Sequence, residues 1–185
     1  DPQKIERLLG ARVVYASIPH SSVEERLNRK SRDDGGDLPL LAQAAPEDIA
    51  VESLRGFRAA LLFAMPHFRN NIVMISGPAR ALGKSFVTVN LAAVMAASGK
   101  RVLLIDADLR NGHLHRYFGV GREHGLSNAI AGAMSVQDIV HRGVLENLFR
   151  ALEAEGALAL TGEGFDQHGH RFERLVDLRY AGANS

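Results

Sequence analysis

Two short runs of this chain carry residue types that do chemistry. The first, Ser76-Gly77-Pro78-Ala79-Arg80-Ala81-Leu82-Gly83-Lys84-Ser85, follows the apolar run Ile72-Val73-Met74-Ile75 and opens a helical stretch. A glycine-bearing loop between a strand and a helix turns successive backbone N–H groups toward one point at the positive helix end, which is how a phosphate is held. On that pattern Ala81, Leu82, Gly83, Lys84 and Ser85 wrap the phosphates, with Gly77 and Phe86 completing the set. Lys84 neutralises β- and γ-phosphate charge, and Ser85 offers its hydroxyl to magnesium. The strict pattern wants glycine at position 78, where this chain has Pro78, without an N–H, and carries Gly77 one residue earlier. A chance Gly-Lys-Ser before a helix is the competing account, and the strand in front of it argues the other way.

The second run is Leu104-Ile105-Asp106-Ala107-Asp108-Leu109-Arg110, at the end of another apolar run. Two carboxylates spaced by one residue beyond a strand's carboxyl end can hold magnesium and orient or deprotonate an attacking hydroxyl. An aspartate at a strand exit also serves as a plain turn cap. Beside Lys84 and Ser85 the phosphoryl-transfer account covers more: Lys84, Asp106 and Asp108 are the candidate catalytic residues, and Ser85, Asp106 and Asp108 the candidate metal ligands. Which aspartate acts as base stays open. Arg110 supports either the phosphates or a protein interface.

The elements that must position these residues follow from pattern. The chain has 185 residues, 46% of them hydrophobic and 23% charged, with a formal net charge of +1 and no cysteine. That balance fits one ordinary α/β or α+β domain and excludes disorder, collagen and coiled coil. It also excludes a disulfide framework, a thiolate zinc site and a cysteine nucleophile, and gives no bias toward nucleic acid. Residues 1–20 are expected to form a small lead-in element, and residues 21–45, rich in mixed charge, a solvated linker. From residue 46 the pattern predicts a P-loop domain: a helix over about 47–65 opened by Pro46-Glu47-Asp48, strands over 72–75 and 102–105, and between them a helix through Ala97 closed by Gly99. That is a βαβ unit of a parallel sheet with helices on both faces, and such sheets bind ligands at the strands' carboxyl ends. Further on, a short helix is expected over 114–118, Ser127 and Ser135 are expected to cap two small helices, residues 157–160 read as a third strand, and 171–179 as a helix. The paired histidines His113/His115 and His168/His170 lack a third ligand and read as loop surface.

Taken together, these motifs resemble the cytoplasmic kinase domain of the bacterial tyrosine kinases of exopolysaccharide and capsule export. Residues 75–87 with Asn90-Leu91-Ala92-Ala93-Val94 are similar to that family's Walker A loop and helix, and residues 102–110 to its Walker A′ motif, Asp-x-Asp-x-Arg. Upstream, Glu52-x-x-Arg55-x-x-Arg58 matches the motif through which family members assemble into rings. The resemblance covers roughly residues 46–147 and, more loosely, 1–20, which it implies to be a membrane-proximal segment. It implies ATP or ADP and Mg2+ as cofactors, other copies of the chain as partners in a ring-like homo-oligomer, and work beside the polysaccharide export machinery. It places the domain on the cytoplasmic face of the inner membrane, anchored through the membrane part of the parent protein. Without the resemblance, Glu52, Arg55 and Arg58 are simply a solvated helix face carrying one weak i,i+3 pair worth a few tenths of a kcal/mol.

Two departures qualify it. The family's Walker B strand, ending Asp-Thr-Pro, and its tyrosine-rich tail have no counterpart around Val176-Asp177 or later, so the sheet is expected to be incomplete or divergent at its C-terminal end. Arg80 stands where the kinases often have proline. Two other readings remain: a non-catalytic oligomerising module of the same export system, and a partitioning-type ATPase. The second is disfavoured because that group's signature lysine, five residues before the main one, is here Ala79.

Overall fold

The computed structural model describes residues 16–67, 70–77, 79, 81–141 and, as backbone, 158–161. Two side chains start the first helices. Ser21 precedes α1 (Ser22–Asp33), and its Oγ accepts from the Glu24 N–H at 3.0 Å. Asp48 precedes α3 (Ile49–Ala64) and accepts from the Ala50 N–H at 2.8 Å. Each satisfies one of the donors that a helix leaves unpaired in its first turn. The two caps also meet: Ser21 Oγ donates to Asp48 Oδ2 at 2.8 Å, pinning the starts of α1 and α3 together. Between them lies the short α2 (Leu41–Ala44). Pro66 then stops α3, whose end tightens into a 3-10 turn over Met65–His67.

The core is built around α4 (Lys84–Ala97), in which every residue from Thr88 to Ala96 is buried. A helix apolar on all sides needs neighbours on all sides. Here α3 supplies Ala50, Val51 and Leu54, α2 supplies Leu41, and β2 (Val102–Leu104) supplies Val102, with Val73 of β1 (Ile72–Met74) packed against the cluster. Asn90 is the polar exception at 1% exposure. Its amide is used twice: Oδ1 accepts from the Ala42 N–H at 2.8 Å and Nδ2 donates to the Phe86 carbonyl at 2.9 Å. A second small cluster joins Leu40, Val89 and Leu114, the last on a 3-10 turn over Leu114–Tyr117.

The expected parallel sheet is present, with one difference. β1 and β2 are not neighbours: β3 (Leu158–Thr161) lies between them and pairs in parallel with both, Val73 opposite Leu160 and Leu103 opposite Ala159. The helix that crosses from β1 to β2 thus skips one strand position, and β3 is the third strand that residues 157–160 predicted. Two other expectations are corrected. The mixed-charge stretch 21–45 is not a solvated linker: it folds into α1 and α2, and Leu40 and Leu41 are core residues. Ser127 does not cap α5 (Leu126–Ile130), which starts at Gly125. Ser135 does cap α6 (Val136–Ile139), its Oγ accepting from the Asp138 N–H. The expected membrane-proximal element over most of 1–20, the helix over 171–179, and His168 and His170 lie outside the described residues.

Burial holds the half-buried Glu24 carboxyl above its ordinary value of 4.5; the Asn28 amide and His20 pull it back, and Glu25 and Asp48 push it further up. The folded chain therefore holds this proton more tightly than the unfolded chain, and that contribution is complete below 4.5 and lost as pH rises through the higher folded value. Glu24→Gln keeps the acceptor for Asn28 and removes the titration. Melting temperatures of the two proteins across that window should diverge with rising pH, the wild type falling relative to the variant; parallel curves would contradict the burial argument.

Candidate functional site

β1 and β2 both end at the same edge of the sheet, because Met74 is level with Thr161 and Leu104 with Leu160 of the strand between them. Two strand spacings, about 10 Å, separate the exits. The phosphate loop leaves from one and the acidic loop from the other.

On the first side, α4 begins at Gly83 with φ 78° and no side-chain cap. Where Ser21 and Asp48 cap α1 and α3 with their side chains, Gly83 has no side chain with which to cap α4. The left-handed conformation at Gly83 aims the chain into the helix at little cost because glycine has no Cβ. Ala81 is left-handed too, at φ 58°, where an alanine is strained; such outliers gather where function holds a loop in shape. Ala81, Leu82 and Gly83 are exposed, and Gly77, Lys84, Ser85 and Phe86 half-buried. The Lys84 amine lies back over its own loop, with Nζ donating to the Ala79 carbonyl at 2.5 Å. Pro78 and Arg80 lie outside the described residues. An open helix start with exposed backbone beside an amine suits the phosphates of a nucleotide.

On the second side, the carboxylates shape their own loop. Asp106 Oδ1 accepts from the Asp108 N–H at 3.1 Å and Oδ2 from the Leu114 N–H at 3.0 Å. Asp108 Oδ1 accepts from Arg110 N–H at 3.2 Å and Asn111 N–H at 2.9 Å. Asp106 takes one bond on each oxygen and Asp108 takes both of its bonds on Oδ1, so each carboxylate is oriented and keeps acceptor capacity, Asp108 through Oδ2. The Ser85 hydroxyl and the Asp106 and Asp108 carboxylates are hard oxygen donors of the kind magnesium takes. Among the described residues no group of three or more His, Cys, Asp or Glu could hold a metal by itself. Arg110 is exposed on this loop.

Beyond Asp108 opens a cleft of about 320 Å³, walled by Leu109, Phe118, Leu126, Val136 and Ile139 with Arg122 at its rim. His115 lines it as well. Burial, then the Arg122 charge, hold that imidazole below its ordinary 6.5, with Asp106 pulling the other way. Sequence reasoning missed this cleft, since the residues that build it are scattered from 102 to 141 with no common spacing. The Glu52 triple divides: Arg55 Nη1 meets Glu52 Oε2 at 2.9 Å on the exposed face of α3, whereas Arg58 Nη1 donates to the Val94 carbonyl at 3.3 Å and so ties α3 to α4.

Gly112 is where the acidic loop closes on itself. A Cβ there would stand 2.7 Å from the Asp108 carbonyl and 3.0 Å from Asp106 Oδ2, and the backbone atom cannot swing aside. Gly112→Ala should push the loop off Asp106 and weaken magnesium-dependent nucleotide affinity about tenfold or more, a cost of about 1.4 kcal/mol, while metal-free affinity stays within about twofold. Equal affinities in variant and wild type with magnesium would remove Asp106 from the site.

Comparison with known proteins agrees with this geometry. The family model for the CobQ/CobB/MinD/ParA nucleotide binding domain matches residues 73–180, more than half of the chain. A tyrosine-protein kinase, ptk, of Acinetobacter johnsonii is 46% identical over 128 residues, which cover 69% of this chain and 17% of that protein. A Klebsiella pneumoniae protein named for a tyrosine-protein kinase in cps region is 42% identical over 146 residues, covering 76% of this chain and 20% of that protein. The chain thus spans about a fifth of the length of the curated relatives it matches. The solved BceF tyrosine kinase domain superposes with a TM-score of 0.74 at 34% identity, covering 88% of this chain and 76% of that one. With the open start of α4 and the paired aspartates already in place, these matches are decisive: the chain belongs to the CobQ/CobB/MinD/ParA nucleotide-binding family and, within it, to the bacterial tyrosine-kinase domains.

Proposed function

We propose that this domain is the ATP-dependent tyrosine kinase of a longer, membrane-anchored protein, and that it phosphorylates tyrosines on other copies of that protein during export of extracellular polysaccharide. The observation that carries the proposal is the uncapped, left-handed start of α4 at Gly83, facing the same sheet edge as Asp106 and Asp108. The cps label of the Klebsiella relative supports the polysaccharide setting. Among the described residues no helix is long and apolar enough to cross a membrane.

Transfer needs positioning and charge more than covalent chemistry. A tyrosine oxygen bonds to the γ-phosphorus of ATP, the bond from that phosphorus to the β–γ bridging oxygen breaks, ADP leaves, and the phenol proton passes to a carboxylate. Backbone N–H groups at residues 81–85 hold the phosphates, and Lys84 offsets their charge. Asp106 or Asp108 takes the proton. Magnesium, when bound, supplies further neutralisation of the phosphate oxygens, with Ser85, Asp106 and Asp108 as the residues that would hold it. Glu52 and Arg55 serve contacts between copies, Glu52 being exposed and Arg55 half-buried on one face of α3, while Arg58 supports that face from below.

Calorimetric titration of the chain with Mg-ADP, run beside Lys84→Ala, tests the nucleotide half. Saturable binding that weakens at least tenfold in the variant is expected; no binding by folded wild type would favour a non-catalytic assembly module. For the other half, Glu52→Ala with Arg55→Ala should lower the sedimentation coefficient of any assembly and leave Mg-ADP affinity within about twofold. An unchanged coefficient would return this helix face to plain solvation.

A further inference from the structure

The phosphate loop and the acidic loop leave different strands, and the loop beyond Leu104 runs without regular structure until the 3-10 turn at Leu114. Something besides the sheet must therefore set one loop against the other. Residues 38–42, inside the stretch expected to be linker, touch the element that follows each loop. The Leu38 N–H donates to the Arg116 carbonyl at 2.8 Å, on the acidic-loop side. The Ala42 N–H donates to Asn90 Oδ1 at 2.8 Å, on the phosphate-loop helix. Between these bonds Leu40, at 5% exposure, packs with Val89 of α4 and Leu114 of the 3-10 turn. Leu114 in turn donates its backbone N–H to Asp106 Oδ2.

We propose that residues 38–42 are a positioning strap: Leu40, seated between Val89 and Leu114, fixes where the Asp106 carboxylate stands relative to Lys84 and Ser85. The chain of contact is continuous, from Asn90 and Val89 on one loop's helix, through Ala42 and Leu40, to Leu114 and the Asp106 oxygen. Buried apolar packing of this kind is stiff, so a shift at Leu40 reaches the carboxylate instead of being absorbed. Leu41 makes the contrast. It is fully buried one residue away, but in the other cluster, with Leu54, Leu91 and Met95. Leu40 and Leu41 should therefore cost comparable stability on truncation while differing in what they do to Asp106. The metal consequence of the strap rests on Asp106 being a ligand, as proposed above; the strap itself does not.

The test compares Leu40→Ala with Leu41→Ala in the whole chain, by two measurements. Amide hydrogen exchange without nucleotide or metal reads the Leu114 N–H directly. Leu40→Ala should speed exchange at Leu114 at least tenfold relative to the average of the α4 amides, and Leu41→Ala should not. Titration with ADP, with and without magnesium, reads the site: Leu40→Ala should lose most of the magnesium-dependent gain in affinity and keep metal-free affinity within about twofold, with Leu40→Met restoring the gain. Should Leu40→Ala fail to fold, Leu40→Val carries the same comparison with a smaller expected change. Equal effects of Leu40→Ala and Leu41→Ala on Leu114 exchange, or none from either, overturn the strap. A wild type that binds ADP equally with and without magnesium overturns the metal role of Asp106 instead, and the exchange comparison then decides the strap alone.

Discussion

Helix α4 must satisfy two demands that ordinarily oppose each other. Its body is apolar on all sides and has to be enclosed, while its first turn has to stay open to solvent and to an anion. The fold meets both by stacking α2, α3, β2 and the Leu114 turn around residues 88–96 and leaving the Gly83 end at the sheet edge. Burial of the body is what makes the open end useful. Backbone donors on a helix that cannot tilt are preorganised for a charge that arrives later, so little reorganisation is needed when it does.

Asn90 shows how the enclosure is specified. An amide at 1% exposure in an apolar cluster costs stability unless every bond is made. Here each end of the amide has a partner, and one partner is the backbone of α2. The bond selects one register of α2 on α4 among the several that leucine and alanine contacts alone would tolerate. It thereby assigns Leu40 to one cluster and Leu41 to the other.

The parts legible in the sequence were those whose pattern is local. The loop at 76–85, the aspartate pair, the helix at 49–64 and the two short strands each carry their signal within a dozen residues, and the structure places them close to where periodicity put them. The stretch 21–45 was misread because its signal is diluted. α1 buries no residue completely and displays Glu25, Arg26, Arg29, Lys30 and Arg32, so its composition resembles solvated chain, and its packing is carried by the Ser21 cap, by Val23 and Leu27 against the core, and by the Leu40-Leu41 pair that follows. The strand order was illegible for a different reason. Nothing within residues 72–104 states that a segment more than fifty residues later will pair between β1 and β2.

That insertion has a consequence for how the chain reaches its native state. Since β3 pairs with Ile72–Met74 on one side and Val102–Leu104 on the other, neither earlier strand has, among the described residues, a hydrogen-bonded neighbour until the chain has been made out to residue 161. α3 and α4 can dock early through local contacts, but the sheet closes only by long-range parallel pairing, which is slow. During synthesis the chain therefore passes through a period in which helices are packed and two apolar strand edges stand open. In that interval it is most exposed to misassociation with other chains, and most in need of a chaperone.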